Sequence, residues 1–457
     1  MADALDHPVV VVGGGLSGLV AARTLARTGT SVVLLERDDR VGGQVRSEPF
    51  GGAVVDVGAE SLHRGAPRVA ALLDELGLGT TLVGAAPGSA RLWSRGRLRP
   101  LPAGVGPTGP TRLWPVVRSG VLSPVGLLRA GLEPVRARRR VDGDVSVGAF
   151  LEHRFGREVV DRFVDPLLGT LHGADVRRLS LAATAPQLLP AAREGRSLVV
   201  ARRSRGAGGP GFATWTGGMA TLADAVLSGT SVEVRTSTVV EEVRRGADGG
   251  LVVATSCGPL DAAAVVLATP AGPAADVVRG LAPDAAALLD GVRAASVVTV
   301  LARLPHGSLP EGTTGVLVPS SAGRLLKAVT VLSAKWPHLA GGDVLVRLSA
   351  GRAGEDDVCA LPDDVLLARL LADLAAVTGV PAEPTETLVH RWPAALPQLE
   401  VGHVERVVAA RAALAPHDVV LAGASYDGLG LAACVRSGLA AAERLADRTA
   451  VPAGASS

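Results

Sequence analysis

Gly13, Gly15 and Gly18 are the first residues of the chain whose spacing could do chemistry. They follow the apolar run Val9-Val10-Val11-Val12, and Glu36 closes the next apolar run. Glycines spaced this way after a buried strand have three uses. The first permits a tight turn, the second lets a diphosphate approach the backbone, and the third lets helix and strand pack closely. The helix that begins there, with Leu16 and Ser17 at its head, offers N–H donors and a partial positive charge to an anion. Glu36 is spaced to accept hydrogen bonds from ribose hydroxyls. The pattern predicts an adenine dinucleotide site.

Two more glycine clusters could approach the same ligand. Arg37, Arg40, Gly42 and Gly43 follow Glu36 directly, and adjacent glycines let the chain pass close to a diphosphate or a flat ring. Gly428-Leu429-Gly430 precedes the last helical pattern, and a helix N-terminus there could stabilise negative charge on a ring. Taken alone, either cluster is equally an ordinary turn.

The elements that must position these residues recur along the chain. Apolar runs predict strands at 9–12, 31–36 and 54–57, with helices at 16–28 and 67–76. Residues 84–120 are rich in Pro, Gly and Arg. A helical region follows over 145–189, with helices at 147–155 and 157–168. Residues 194–211 are basic and glycine-rich and predict a mobile loop. A helix at 220–227 precedes strands at 231–234, 239–244, 251–255 and 263–268. Strands at 294–304, 314–318, 328–332 and 344–348 suggest a separate sheet, and 363–378 is an amphipathic helix. A strand at 419–422 and a helix at 432–447 close the pattern. Dinucleotide-type elements thus occur at the start, the middle and the end. The reading is a nucleotide-binding domain split over 1–84, 206–280 and 396–450. A mainly helical insertion covers 85–205, a substrate-binding domain covers 281–395, and 451–457 is a tail.

Composition narrows the class. The chain has 457 residues, 47% of them hydrophobic, enough for a large core, and only 2% aromatic, so Leu, Val and Ala must fill it. The 46 basic and 44 acidic residues nearly cancel, which argues against nucleic acid as a partner. Nearly every cation is arginine; the two lysines are Lys327 and Lys335. Cys257, Cys359 and Cys434 are too far apart for a metal knuckle, and no metal site is expected. The N-terminus lacks a basic, cleavable leader and the longest apolar stretch is short and glycine-rich, so a cytoplasmic protein with at most peripheral membrane contact is expected.

The glycine motif combined with Glu36-x-x-x-Arg40-x-Gly42-Gly43 resembles the flavin amine oxidase superfamily, which includes monoamine oxidases, phytoene desaturases and porphyrinogen oxidases. Further segments resemble its porphyrinogen oxidase branch. They are Asp56 to Ser61, Gly173-Ala174-Asp175 with Leu179-Ser180, Thr216 to Met219, Ala268-Thr269-Pro270, Leu396-Pro397-Gln398 with Gly402-His403, and Gly423 through Cys434 to Gly438. The resemblance implies an α/β fold: a discontinuous, Rossmann-like FAD-binding domain with an inserted α+β substrate-binding domain and an inserted helical domain. It implies non-covalent FAD. Gly58, Ala59, Glu60 and Ser61 would lie along the diphosphate and flavin edge, and Val239 would meet adenine through its backbone. Trp392 would pack near the flavin, while Gly423, Ala424, Leu429, Gly430 and Leu431 would line its diphosphate and ring. Arg91 would pair with a substrate propionate.

The activity implied is oxidation of coproporphyrinogen III to coproporphyrin III in haem biosynthesis, with molecular oxygen as acceptor and hydrogen peroxide as by-product. Six hydrogens leave in three two-electron rounds, and no side-chain base is evident. Protoporphyrinogen IX is the alternative substrate. Arginines near 91–99 and 202–205 suit the more anionic of the two. A phytoene desaturase, an amine oxidase or a non-catalytic FAD-binding protein are further alternatives; one tyrosine and two lysines weaken the amine reading. Transient contact with other haem-pathway enzymes is an expected partnership.

Overall fold

The computed structural model describes residues 7–203, 211–247, 249–355 and 357–449. Its centre is a five-stranded parallel sheet in the order Glu233–Arg235, Val32–Leu35, Val9–Val12, Ala264–Leu267, Val419–Leu421. Val9–Val12, Val32–Leu35 and Ala264–Leu267 are buried at every position, as strands covered on both faces must be. On one face pack the helices Leu16–Arg27, Leu431–Thr449 and Ala220–Val226, through Leu19, Val20, Leu222 and Val435. On the other lie a three-stranded antiparallel sheet and the helices Ala271–Val278, Pro283–Asp290 and His403–Leu414, through Val253, Val278, Leu289 and Leu414. Strands from the start, the middle and the end of the chain thus lie side by side in one sheet.

A second sheet of seven strands stands beside it, in the order Glu386–Pro397, Ala294–Leu304, Val344–Ala350, Leu326–Val331, Thr313–Leu317, Ser89–Ser94, Arg97–Pro100. The helix Asp363–Thr378 covers one face with Leu366, Leu370, Leu374 and Val377, spaced at helical intervals. Gly379 ends that helix in the left-handed conformation, where a Cβ would be strained. The last two strands differ from the sequence reading, which grouped residues 85–100 with the helical insertion. Their backbone pairs with the sheet instead, Arg91 in parallel with Val316.

The helical insertion has its own core of Phe150, Leu151, Phe155, Phe163 and Leu179. Its expected helix at 157–168 widens to a π-type coil over Val160–Gly169, with Pro166 inside. Proline has no N–H to donate, and a wider turn accommodates it. Asp165 in that coil is buried and accepts from the N–H and hydroxyl of Ser320 at 2.7 and 3.0 Å, tying the insertion to the seven-stranded sheet. The loop expected over 194–211 is partly helical, at Leu198–Arg203. Its residues 204–210, with Arg205 among them, lie outside the described residues, as does the tail 451–457.

Candidate active site

The glycine loop is built by close approach. Gly13 has φ +104° and donates to the Leu35 carbonyl at 2.8 Å. A Cβ on Gly18 would stand 2.0 Å from the Gly13 oxygen, so position 18 tolerates only glycine. Gly15 is different: a Cβ there meets no protein atom within 4 Å. The second cluster is stitched to the first. Gly42 donates to the Gly14 carbonyl at 2.8 Å, and a Cβ on Gly43 would sit 3.1 Å from the Gly15 Cα. Arg40 folds over this turn and donates to the carbonyls of Val41 and Gly43, both at 3.0 Å. Burial and then Arg46 lower its pKa. Glu36 is buried; one oxygen accepts from Gly14 N–H at 2.7 Å and the other from Asp38 N–H at 2.9 Å. Arg37 faces solvent and pairs with Asp38 at 3.5 Å.

The second wall joins the two sheets. A Cβ on Gly58 would collide with the Gln44 carbonyl at 2.0 Å and reach the Trp392 ring at 3.0 Å. Trp392 donates from Nε1 to the Val57 carbonyl and the Thr299 hydroxyl, each at 3.3 Å, and its ring lies tilted against His390, with centroids 4.2 Å apart. Ala59 donates to the Gln44 carbonyl at 2.9 Å, and Ser61 follows it half-buried. Glu60 points into protein. Its carboxylate accepts from Lys335 Nζ at 2.6 Å, from Trp336 Nε1 at 3.1 Å and from the Arg347 guanidinium. Burial alone would raise its pKa, but Arg347 and Lys335 outweigh burial and hold it at about 2. Arg347 also donates to the carbonyls of Asp56 and Gly58 at 3.2 and 2.8 Å. Asp56 accepts from Met219 N–H at 2.8 Å and from the Ser47 hydroxyl at 2.6 Å, while burial pushes its pKa up to about 6. Val239 adjoins the Glu36 segment, directly after Thr238, whose N–H donates to the Glu36 carbonyl at 2.9 Å; its own N–H and carbonyl are bonded to Ser256 at 3.1 and 2.9 Å.

The third wall comes from the other end of the chain. Gly423 donates to the Ser437 hydroxyl at 2.7 Å and begins the short helix Ala424–Asp427. Asp427 accepts from Arg411 at 2.7 Å, fixing the turn. Gly428 and Gly430 take φ values of +104° and +97°, and a Cβ on Gly430 meets nothing within 4 Å. Leu429 is half-buried, and Leu431 opens the last helix. Ala433 and Cys434 donate to the Gly430 carbonyl at 3.0 and 3.1 Å; the N–H groups of Leu431 and Ala432 precede those bonds, as at any helix start. The Ser17 hydroxyl bonds the Cys434 carbonyl at 3.0 Å, so the first and last helices meet at this wall.

These walls suit a dinucleotide. Gly15 and Gly430 border open space, and the buried Thr269 hydroxyl beside Gly13 has no hydrogen-bond partner among the described residues. Unpaired buried donors and bare backbone are what a diphosphate would satisfy. Residues 16–446 match the flavin containing amine oxidoreductases. The chain belongs to that family. As a flavin containing amine oxidoreductase it takes FAD as its cofactor, in a Rossmann-like domain. It is 35% identical to the coproporphyrinogen III oxidase of Mycobacterium leprae over 95% of this chain and 97% of the relative. It is 30% identical to that of Bacillus subtilis over 96% and 98%. Among solved structures, one from Exiguobacterium sp. 255-15 that carries a protoporphyrinogen oxidase designation superposes with a TM-score of 0.87 and 28% identity, over 97% of this chain and 99% of that one.

In the seven-stranded sheet of this flavin containing amine oxidoreductase, Arg91 lies half-buried in strand Ser89–Ser94 and donates from Nε to the Thr313 hydroxyl at 2.8 Å. Sequence reasoning did not find the Glu60–Lys335–Arg347 cluster. Its one available signal was that a chain with two lysines placed one of them, Lys335, beside Trp336. The other, Lys327, is buried, donates to the Gly351 carbonyl at 2.9 Å, and burial lowers its pKa to about 7. Burial likewise lowers His172 and His403 to about 4, which keeps both neutral and fits structural roles. Among the described residues no His, Cys, Asp and Glu cluster could hold a metal, and no helix is long and apolar enough to cross a membrane.

Proposed function

We propose that this enzyme oxidises coproporphyrinogen III to coproporphyrin III in the cytoplasm, with molecular oxygen as terminal acceptor. The observation that carries the reading is the near end-to-end similarity to coproporphyrinogen III oxidases at 30 to 35% identity. The Exiguobacterium structure keeps protoporphyrinogen IX as the second reading. Bound FAD would supply a two-electron acceptor for each of three rounds of hydrogen removal.

The protein's part is holding and orienting. Gly13 to Gly18 and the Leu431 helix start would hold the diphosphate from two sides, with Arg40 stiffening the turn between them. Glu36 would exchange one of its backbone partners for ribose hydroxyls. Gly58 to Ser61 would border the flavin edge, held there by Arg347 and Lys335 through Glu60, and Trp392 would close the same side. Gly42, Gly43, Ala424, Leu429 and Gly430 would complete the cradle, and Val239 would meet adenine. Arg91 would take a propionate with the face of its guanidinium not bonded to Thr313. Nothing in this scheme asks a side chain to act as base.

The test is direct. The FAD-loaded enzyme is incubated with each porphyrinogen in air and porphyrin fluorescence is followed. Faster turnover of coproporphyrinogen III is expected. A clear preference for protoporphyrinogen IX would select the second reading, and no acceleration of either would end both.

A further inference from the structure

The seven-stranded sheet has one covered face and one that is partly open. Beneath the helix Asp363–Thr378, Val316, Val329 and Leu348 are buried. Their chain neighbours Gly315, Ala328, Thr330 and Ser349 lie on the other face and are only half-buried. They adjoin one another, since Gly315 pairs with Thr330 and Ala328 with Ser349, and Thr330 pairs in turn with Arg347. The result is a flat floor of small side chains. It is turned toward the segment Gly58 to Ser61: from the same face Thr299 donates to the Val57 carbonyl and Arg347 to the Gly58 carbonyl, each at 2.8 Å.

A cation and an exposed ring stand where this floor ends. Strand Leu326–Val331 runs directly into the short helix Leu332–Lys335. Lys335 Nζ lies 4.9 Å from the centre of the Trp336 ring and 5.9 Å from that of Phe212. Trp336 is buried, but the Lys335 side chain is 24% exposed and Phe212 is 53% exposed, with His63 edge-on against it at 5.6 Å. An ammonium has three donors. Glu60 accepts one, and among the described residues Nζ has no other acceptor. Glu60 does not balance Lys335 by itself, because Arg347 shares the same carboxylate. Asp56, the next acid, accepts from Met219, Ser47 and Thr214 instead. A cation with donors to spare, set beside an exposed apolar ring, suits a carboxylate carried on an apolar arm. Lysine fits this corner in a chain that otherwise uses arginine: its rotatable donors can divide between Glu60 and a ligand, which the fixed fork of a guanidinium does less readily.

We propose that Lys335 binds a propionate of the substrate, with Phe212 packed on the arm that carries it. The assignment rests on the porphyrinogen reading above and adds to it a residue that recognises a carboxylate at this end of the sheet.

The experiment titrates FAD-loaded enzyme with coproporphyrin III and with its tetramethyl ester, which has the same ring and no free carboxylate, following porphyrin fluorescence. Lys335→Met and Lys335→Gln are compared with the native chain. Glutamine keeps a donor for Glu60 without the charge, and flavin absorbance checks the fold. Both variants should bind coproporphyrin III about tenfold more weakly or worse, and the ester as the native enzyme does. KM for coproporphyrinogen III should rise by a similar factor with a smaller change in kcat. Added salt should weaken the acid's binding to the native enzyme more than to either lysine variant. Phe212→Ser, at an exposed position, should weaken acid and ester alike. Native affinity for the acid in the lysine variants, or equal losses for acid and ester, would overturn the proposal; the second result would make Lys335 a prop for Glu60 alone. A native enzyme that neither binds coproporphyrin III nor oxidises coproporphyrinogen III would end the porphyrinogen reading itself, and this assignment with it.

Discussion

The Ser17 hydroxyl donates to the Cys434 carbonyl at 3.0 Å, joining helices whose residues lie 417 positions apart. The contact needs a glycine four residues on, since a Cβ at Gly438 would stand 2.4 Å from the Ser17 carbonyl oxygen. Helix propensity alone favours alanine over glycine by about 1 kcal/mol. The close approach reverses that sign. Gly438→Ala should destabilise the protein by about 1–3 kcal/mol and lower the Tm of both apo- and holoenzyme. An unchanged or raised Tm would mean that the two helices can separate without cost.

Gly15 and Gly18 should respond differently to the same methyl group. Position 15 has open space in the protein, and position 18 has a carbonyl at 2.0 Å. Gly15→Ala should leave the apoprotein within about 0.5 kcal/mol of native stability and weaken FAD by about tenfold, the methyl filling space the diphosphate needs. Gly18→Ala should destabilise the apoprotein itself. Melting curves with flavin removed, set beside a flavin titration, separate the two effects; equal apoprotein losses would contradict the assignment.

Glu60 ties the segment Gly58 to Ser61 to the second sheet. Glu60→Gln leaves Arg347 and Lys335 partly buried without their counter-charge and should cost about 3–5 kcal/mol. The pH dependence has a definite sign. The folded pKa is about 2, below the ordinary 4.5, so the contribution is complete above about pH 4.5 and is lost as pH falls through about 2. Denaturant unfolding at several acidic pH values should show native stability falling over that window and a flatter profile for the variant.

Lys327 works in the other direction. Its folded pKa of about 7 lies below the ordinary 10.5. The unfolded chain therefore binds the extra proton between those values, and stability rises with pH from about 7 to about 10.5. Lys327→Met should remove that rise. Denaturant midpoints at neutral and at alkaline pH, compared between native and variant, give the difference; parallel profiles would mean that Lys327 is charged in the fold.

Arg91 should act in binding. Arg91→Ala should raise KM about tenfold or more with a smaller change in kcat, the pattern of lost uniform binding. Steady-state kinetics with coproporphyrinogen III reads both. An unchanged KM would remove Arg91 from the substrate site.

The parts of this molecule that are regular over short distances were legible in its sequence. Val9–Val12, Gly13 to Gly18 and Glu36 form one local unit, and its spacing alone specified strand, turn, helix and acid. The Gly423–Gly430 turn was legible for the same reason. What escaped depends on distance along the chain. Ser89–Ser94 reads as irregular because Pro, Gly and Arg surround it, yet it pairs with Thr313–Leu317, more than two hundred residues on. Glu60 meets Lys335 and Arg347 across 275 and 287 positions, a relationship no local pattern records. Pro166 sits inside a predicted helix, and only the widened coil of the structure shows how the backbone absorbs it.

The order of strands in the central sheet sets a timetable for synthesis. Ala264–Leu267 has Val419–Leu421 as its outer neighbour, and the helix Leu431–Thr449 lies over the helix that opens the glycine loop. While the ribosome is still making residues 268 to 418, Ala264–Leu267 is a bare valine-rich edge and the first glycine loop lacks its far wall. Such an edge invites pairing with other chains. Premature termination anywhere in that interval would therefore release an aggregation-prone fragment instead of a weakened enzyme, and the cradle proposed for flavin would be complete only after the last helix has left the exit tunnel.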